Sequence, residues 1–372
     1  MSPKYTVDTF PPSSIPPHLL TRLNAHLPFS LTVLRRIQVA CRKKGGSSAH
    51  SHIIYVHDGG SHSGPCPFAA AYLDLSRGPE TECWIYSTLQ DAVPPNRDPT
   101  SSDALAPAGL SPEAGEVCVQ QVLRLLRRIR AIESVFASAS ADGSGSEEGL
   151  NRGHSRAHVR VGALHETVRR ALVDAGVRVK ATSVVPVGQE WEFYSTWLIR
   201  VENLKAGDEV DLPEGMRWDV LRGKDTALVK SRTTIPKREY VTFHREWGPL
   251  RGREMLMGDS DTMLMVPSTV IRRQDGTPVA WGYLGVDGSV STLHVEVSTA
   301  GRRWGDDPGL TCLQEPYRGR GLAKALTGRL LRTRLQELGD DGWCSTDIST
   351  TNSQSQGVFR SIGGKPAWTV SW

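Results

Sequence analysis

The stretch Tyr317-Arg318-Gly319-Arg320-Gly321-Leu322-Ala323 sets two glycines one residue apart between arginines. Glycine lets the main chain approach an anion closely and take turns that a Cβ would forbid. Residues 322–338 then read as a helix. The stretch therefore ends on a helix N-terminus, where unpaired N–H groups and the positive end of the dipole favour phosphate. The backbone of Arg318, Gly319, Arg320, Gly321, Leu322 and Ala323 is a candidate cradle for a pyrophosphate, with the Arg318 and Arg320 side chains adding charge. Taken alone, such a loop is equally compatible with a plain turn.

The elements that must position it narrow the choice. Residues 279–284 and 291–296 read as strands joined through Asp287-Gly288, a hairpin-turn dipeptide. The loop thus follows a strand and precedes a helix. Residues 217–221 read as a first core strand, 224–232 as a first helix, and 343–348 as a further strand.

The pattern Arg-x-x-Gly-x-Ala at Arg318, Gly321 and Ala323 resembles the coenzyme A pyrophosphate loop of the GNAT superfamily of N-acyltransferases. Asn352 with Phe359-Arg360-Ser361-Ile362-Gly363 resembles that superfamily's closing segment, and residues 368–372 resemble its last strand. The run Leu293-His294-Val295-Glu296 is similar to the glycine N-acyltransferase-like branch. The resemblance covers residues 216–372. It implies an α/β (α+β) fold with a GNAT acyltransferase domain there. It further implies an enzyme that moves an acetyl or short acyl group from coenzyme A to an amine of a small molecule or amino acid, with acetyl-CoA or another acyl-CoA as co-substrate. A non-catalytic coenzyme-A-binding module and a protein (histone-type) N-acetyltransferase remain open as alternatives.

Acyl transfer from a thioester needs a held cofactor, a deprotonated amine and donors for the oxyanion. In the superfamily the strand before the loop diverges from the next one and leaves amides unpaired. By that resemblance the strands are 291–296 and 343–348, and the Val295 amide becomes the oxyanion donor. An amine is mostly protonated at neutral pH, so a base is required. Glu296 matches the superfamily's base position, with Glu315 and His294 as rivals; a glutamate that merely faces solvent at a strand end is the bland reading. Many relatives protonate the leaving thiolate with a tyrosine where this chain has Phe359, which has no proton to give. Water, the substrate ammonium, Ser353 or Ser355 must then serve. Asn352 and Phe359 are assigned to the cofactor side, and Cys344 to the core as a small apolar residue.

Between Glu296 and Glu315 lie eighteen residues, 297–314, with neither strand nor helix periodicity. Relatives run almost directly from strand to loop. Val297-Ser298 is what a common splice-donor sequence encodes, Gln314 what an acceptor CAG encodes, and Leu310-Thr311 suits a branch point. A retained intron and a genuine surface loop beside the site are both open. Residues 242–266, also long against the family, carry the same two readings in weaker form.

A chain of 372 residues is comfortable for two domains, taken here as 1–205 and 216–372 with a polar linker over 202–214. In the first, residues 17–25, 30–40, 116–136 and 165–175 read as helices, and 53–56, 68–73, 82–87 and 191–201 as strands; 137–151 has the composition of a disordered segment. This half carries no pyrophosphate loop. It resembles a degenerate acyltransferase-like half that walls one side of the acceptor pocket. A formal net charge of +4 argues against a dedicated nucleic-acid binder, and the arginines at 124, 127, 128 and 130 read as a solvated helix face. Six scattered cysteines without a C-x-x-C pair indicate neither a disulfide framework nor a zinc site. His50, His52, His57 and His62 lack acidic or cysteine companions at ligand spacing, so no metal is expected. No apolar run reaches membrane-spanning length and no secretory signature opens the chain, so no membrane partner and an intracellular, cytoplasmic location are expected.

Overall fold

The computed structural model describes residues 5–43, 45–59, 66–77, 81, 83–92, 110–141, 159–179, 193–204, 212–232, 266–296 and 317–372. Glu315, Cys312, His62 and the stretches 242–265 and 297–314 lie outside the described residues.

In the first half, β1 (Thr6–Phe10), β2 (Ser51–His57), β3 (Ala69–Asp74) and β4 (Cys83–Ser87) form an antiparallel sheet in chain order. Side chains alternate across a strand, and here both faces are covered, which is why β2, β3 and β4 are buried along nearly their whole length. Ile54 and Val56 face α3 (Pro112–Ala141) through Val122, Leu125 and Ile129. Ile53 and Tyr55 face the other side, where Leu19 and Leu23 of α1 (Pro17–Ala25) and Leu34 and Ile37 of α2 (Leu31–Arg42) pack. The short β5 (Leu164–His165), α4 (Glu166–Asp174) and β6 (Phe193–Arg200) complete this half.

The second half repeats the plan with β7 (Met216–Asp219), α5 (Thr226–Arg232), β8 (Ser268–Arg273), β9 (Pro278–Leu284) and β10 (Val290–Val295), the strands being antiparallel in chain order. Then come α6 (Leu322–Arg334), β11 (Trp343–Ser349), α7 (Ser353–Ser361) and β12 (Lys365–Ser371). The hairpin between β9 and β10 turns at Gly288, whose φ of 77° only glycine adopts without strain. Strands β1 and β8 are absent from the sequence reading. Within β8, Arg272 is fully buried: its Nε donates to Asp219 (2.8 Å), its Nη1 to Asp225 (2.9 Å) and its Nη2 to the Val220 carbonyl (2.7 Å). The helix read over 322–338 ends earlier, passing into a 3-10 turn at Leu335–Glu337, and the helix read over 116–136 is longer at both ends.

The two halves exchange their last strands. The third sheet runs β11-β6-β12-β5, so β6 of the first half lies between the two late strands of the second, and β12 pairs with β5 of the first. Each half contains a place where parallel strands touch at one isolated bridge and then part: Cys83 with Val161 in the first, Ser289 with Ser345 in the second. Across the join, the buried Arg35 of α2 donates to Asp341 Oδ1 (2.6 Å) and to the Trp343 carbonyl (3.1 Å). A Cβ on Gly339 would sit 1.9 Å from Arg35 Nη1, so glycine there is the condition for that contact.

This interlock predicts that neither half survives alone. A chain ending at Gly364 loses β12, and with it the strand that joins β5 to β6 and the Trp372 indole that donates to Asp347 Oδ2 (3.0 Å). It is expected to lose cooperative thermal unfolding altogether, not merely a few degrees of Tm, as read by circular dichroism.

Candidate active site

The second parting of strands opens the site. Thr346 Oγ1 donates to the Val290 carbonyl (2.9 Å) beside the Ser289–Ser345 bridge, and beyond that point β10 is paired, among the described residues, only with β9. The ladder fixes which way its amides point. Glu296 N–H donates to the Val279 carbonyl (2.9 Å), and neighbouring residues in an antiparallel strand alternate sides. Val295 therefore turns its N–H and carbonyl away from β9, into the opening. Arg318 Nε confirms the direction by donating to the Val295 carbonyl (3.1 Å), which pins the glycine loop to the end of β10.

A bulge sits just upstream. The register of β10 shifts between Ser291 and His294, and Thr292 takes φ 50°, a value costly for a β-branched residue. Its hydroxyl donates to Tyr283 Oη (2.7 Å), which holds the bulge in place. Bulges re-aim the backbone beside functional openings.

Gly319 (φ 81°) and Gly321 (φ 77°) both lie in the left-handed region, and Gly321 is the N-cap of α6 without a side-chain cap bond. Leu322, Ala325 and Leu326 are buried, so the helix is fixed against β8–β10 by its apolar face while its first turn opens beside Val295. Arg318 and Arg320 are exposed there.

Glu296 and His294, two apart on a strand, share a face. Arg232, at the end of α5, donates through Nε to Glu296 Oε1 (2.8 Å), while His294 Nε2 lies 3.8 Å from Glu296 Oε2. His294 stacks on Trp281 at 4.6 Å. Burial lowers the His294 pKa against the opposing pull of Glu296, so the imidazole is neutral at neutral pH and able to accept a proton. Sequence reasoning missed Arg232, whose partner lies far along the chain and which carries no local signal, and the Thr292 bulge, which only the tertiary register reveals.

The remaining assigned residues separate. Asn352 caps α7, its Oδ1 accepting from Ser355 N–H (3.0 Å). Phe359 is 2% exposed and packs with Leu330, Leu331, Ile348 and Ile362, which makes its side chain a core residue beneath α7. Cys344 is buried and its thiol is pushed up to about 12, so it is no nucleophile. Asp347, unremarked in the sequence, is partly buried and accepts from Thr196 Oγ1 and Trp372 Nε1, and desolvation lifts its pKa to about 6. Among the described residues no group of three or more His, Cys, Asp and Glu is placed to hold a metal, and no helix is long and apolar enough to cross a membrane. His57 Nε2 instead meets Asp8 Oδ2 at 3.0 Å.

Comparison with known proteins adds to this geometry. Residues 5–189, just short of half the chain, match the family model described as the N-terminal domain of acyl-CoA N-acyltransferase verG. Both halves are mixed α/β with antiparallel sheets, the fold class expected from the sequence. The glycine loop belongs to the second half. Solved structures similar to the chain include a Drosophila protein (13% identity, 98% of this chain and 97% of that one, TM-score 0.47) and a tandem GNAT protein from the clavulanic acid biosynthesis pathway (11%, 99% and 98%, 0.42). A GCN5-related N-acetyltransferase from Sphaerobacter thermophilus is similar at 14% identity, over 99% and 94% of the two chains, with TM-score 0.39. These scores are below 0.5, and the fold rests on the strand arrangement and the domain match. No curated protein matches the chain in sequence.

Proposed function

We propose that the chain is an acyl-CoA-dependent N-acyltransferase of the glycine N-acyltransferase-like kind, acting on an amine of a small molecule or amino acid in the cytoplasm. One observation carries the reading: the glycine loop at the N-terminus of α6 is tied by Arg318 to the carbonyl of Val295, whose own amide faces the opening between β10 and β11. Pyrophosphate on the loop and thioester carbonyl at Val295 would then belong to one extended cofactor. The donor set fits that group: the first-turn amides of α6 and two exposed guanidiniums suit phosphate, and an outward backbone N–H suits a carbonyl oxygen.

In this reading coenzyme A supplies the activated acyl group. The loop holds its phosphates, the Val295 N–H stabilises charge on the thioester oxygen, and Glu296, oriented by Arg232 and flanked by neutral His294, takes the amine proton. Glu315 keeps its place as a rival base. The domain limits 1–205 and 216–372 are proposed with the qualification that β6 and β12 cross between the halves.

The test is release of free thiol when acetyl-CoA and longer acyl-CoAs meet a panel of amines and amino acids. Thiol released only with amine present is expected. Coenzyme A binding without release across the panel would favour a non-catalytic module, a reading that Phe359 in the place of a tyrosine keeps in view.

A further inference from the structure

Beyond the Ser289–Ser345 bridge, β11 is the second wall of the opening, and its side chains alternate between two faces. Cys344 and Ile348 pack with Leu330 and Leu331 of α6, so Asp347 turns to the opposite face. On that face Trp281 and Tyr283 of β9 pack with Val229 of α5, His294 stacks on Trp281 and Glu296 meets Arg232. Asp347 and the candidate base therefore stand on one side of the opening, on its two walls. Their levels differ. Thr346 stands beside Val290, which makes Asp347 level with Ser291 at the closed end. Ser291 pairs with Tyr283 and Val295 with Ala280, so Asp347 lies about 10 Å from the Val295 amide along the strands, too far to act on the amine that attacks there.

Thr196 Oγ1 donates to Asp347 Oδ1 (2.7 Å) and Trp372 Nε1 to Oδ2 (3.0 Å), so neutral donors fix both oxygens. Asp287, the charged group that acts on this carboxylate, has the same sign. Asp347 is partly exposed, and among the described residues it has no counter-cation. A carboxylate held in one orientation and partly desolvated without an opposite charge is costly until a cation reaches it. We propose that Asp347 binds a second, non-reacting ammonium of the acceptor, which makes the acceptor a diamine rather than a monoamine or a zwitterionic amino acid. The inference rests on the acyltransferase reading of the same opening and narrows its acceptor. One nitrogen lies at Glu296 and the thioester while the other donates to Asp347; a carboxylate in the second place would meet Asp347 and Asp287 as like charges.

The probes are 1,5-diaminopentane, pentylamine and 5-aminopentanoate. They share a reacting end and a length and differ in the charge at the far end, and the two nitrogens of the diamine span most of the distance to be bridged. Each is titrated into the full chain with coenzyme A present, and affinity is read from the ligand's own NMR relaxation. The diamine is expected to bind about tenfold more tightly than pentylamine, the worth of one charge-assisted hydrogen bond at a partly exposed group, and 5-aminopentanoate more weakly than either. The Trp372 indole N–H signal, the one missing from Trp372→Phe, moves with the diamine and is unmoved by pentylamine. Asp347→Asn, whose amide can still accept from Trp372 and donate to Thr196, brings the diamine down to the level of pentylamine. Equal affinity for diamine and pentylamine overturns the proposal. So does a stationary Trp372 signal, which puts the second nitrogen on another acid, or a diamine preference that survives in folded Asp347→Asn. If that variant does not fold, the affinity series and the Trp372 signal of the unaltered chain decide. Because binding is read without turnover, absence of thiol release counts against acyl transfer and not against Asp347.

Discussion

Replacing Glu296 with glutamine lowers turnover by roughly a hundredfold or more near neutral pH, the usual reach of general-base catalysis, and leaves coenzyme A affinity unchanged. Glutamine keeps the shape and can still accept from Arg232, so the loss isolates the missing proton acceptor rather than the geometry at the end of β10. Raising the pH partly restores the rate, because more of the amine then arrives deprotonated. His294 is the internal control. It is uncharged at neutral pH and stacks on Trp281, so His294→Gln removes a second acceptor without removing charge. Full activity in Glu296→Gln with loss in His294→Gln would transfer the base to the histidine; full activity in both would leave Glu315 or solvent.

Much of the second half is legible in the sequence because its signals are local. The Asp287-Gly288 turn, the glycine pair before a helix and the apolar strand at residues 279–284 each carry their structure within a few residues, and each is where it was read. Arg272 shows the opposite case. Its strand, β8, is missing from the sequence reading, and the carboxylates that enclose it, Asp219 and Asp225, lie about fifty positions upstream. The exchange of β6 and β12 was illegible for a similar reason. Both read correctly as strands, and nothing in either segment states that its neighbour belongs to the other half. At the site, Glu296 and the loop are proposed from sequence pattern, which is local. Arg232 and the Thr292 bulge depend on register and distance, which a pattern does not contain. Asn352 and Phe359 were placed on the cofactor side by resemblance, whereas the geometry gives them a helix cap and a core contact that account for those residue types.

Gly321→Val is expected to abolish coenzyme A binding while Arg320→Ala only weakens it. Gly321 stands at φ 77° as the N-cap of α6, where a β-branched residue is strained whatever the space around it, and the strain is relieved only by reorienting the first-turn amides that would hold the pyrophosphate. Arg320 contributes charge at an exposed position, and such a contact is screened by salt. Calorimetric titration of the full chain, Arg320→Ala and Gly321→Val with coenzyme A tests the central claim most directly, with thermal melts to establish that each variant is folded. Saturable binding to the full chain, weakening of a few fold in Arg320→Ala and no measurable heat with folded Gly321→Val is the predicted result. Unchanged affinity in folded Gly321→Val would contradict the account.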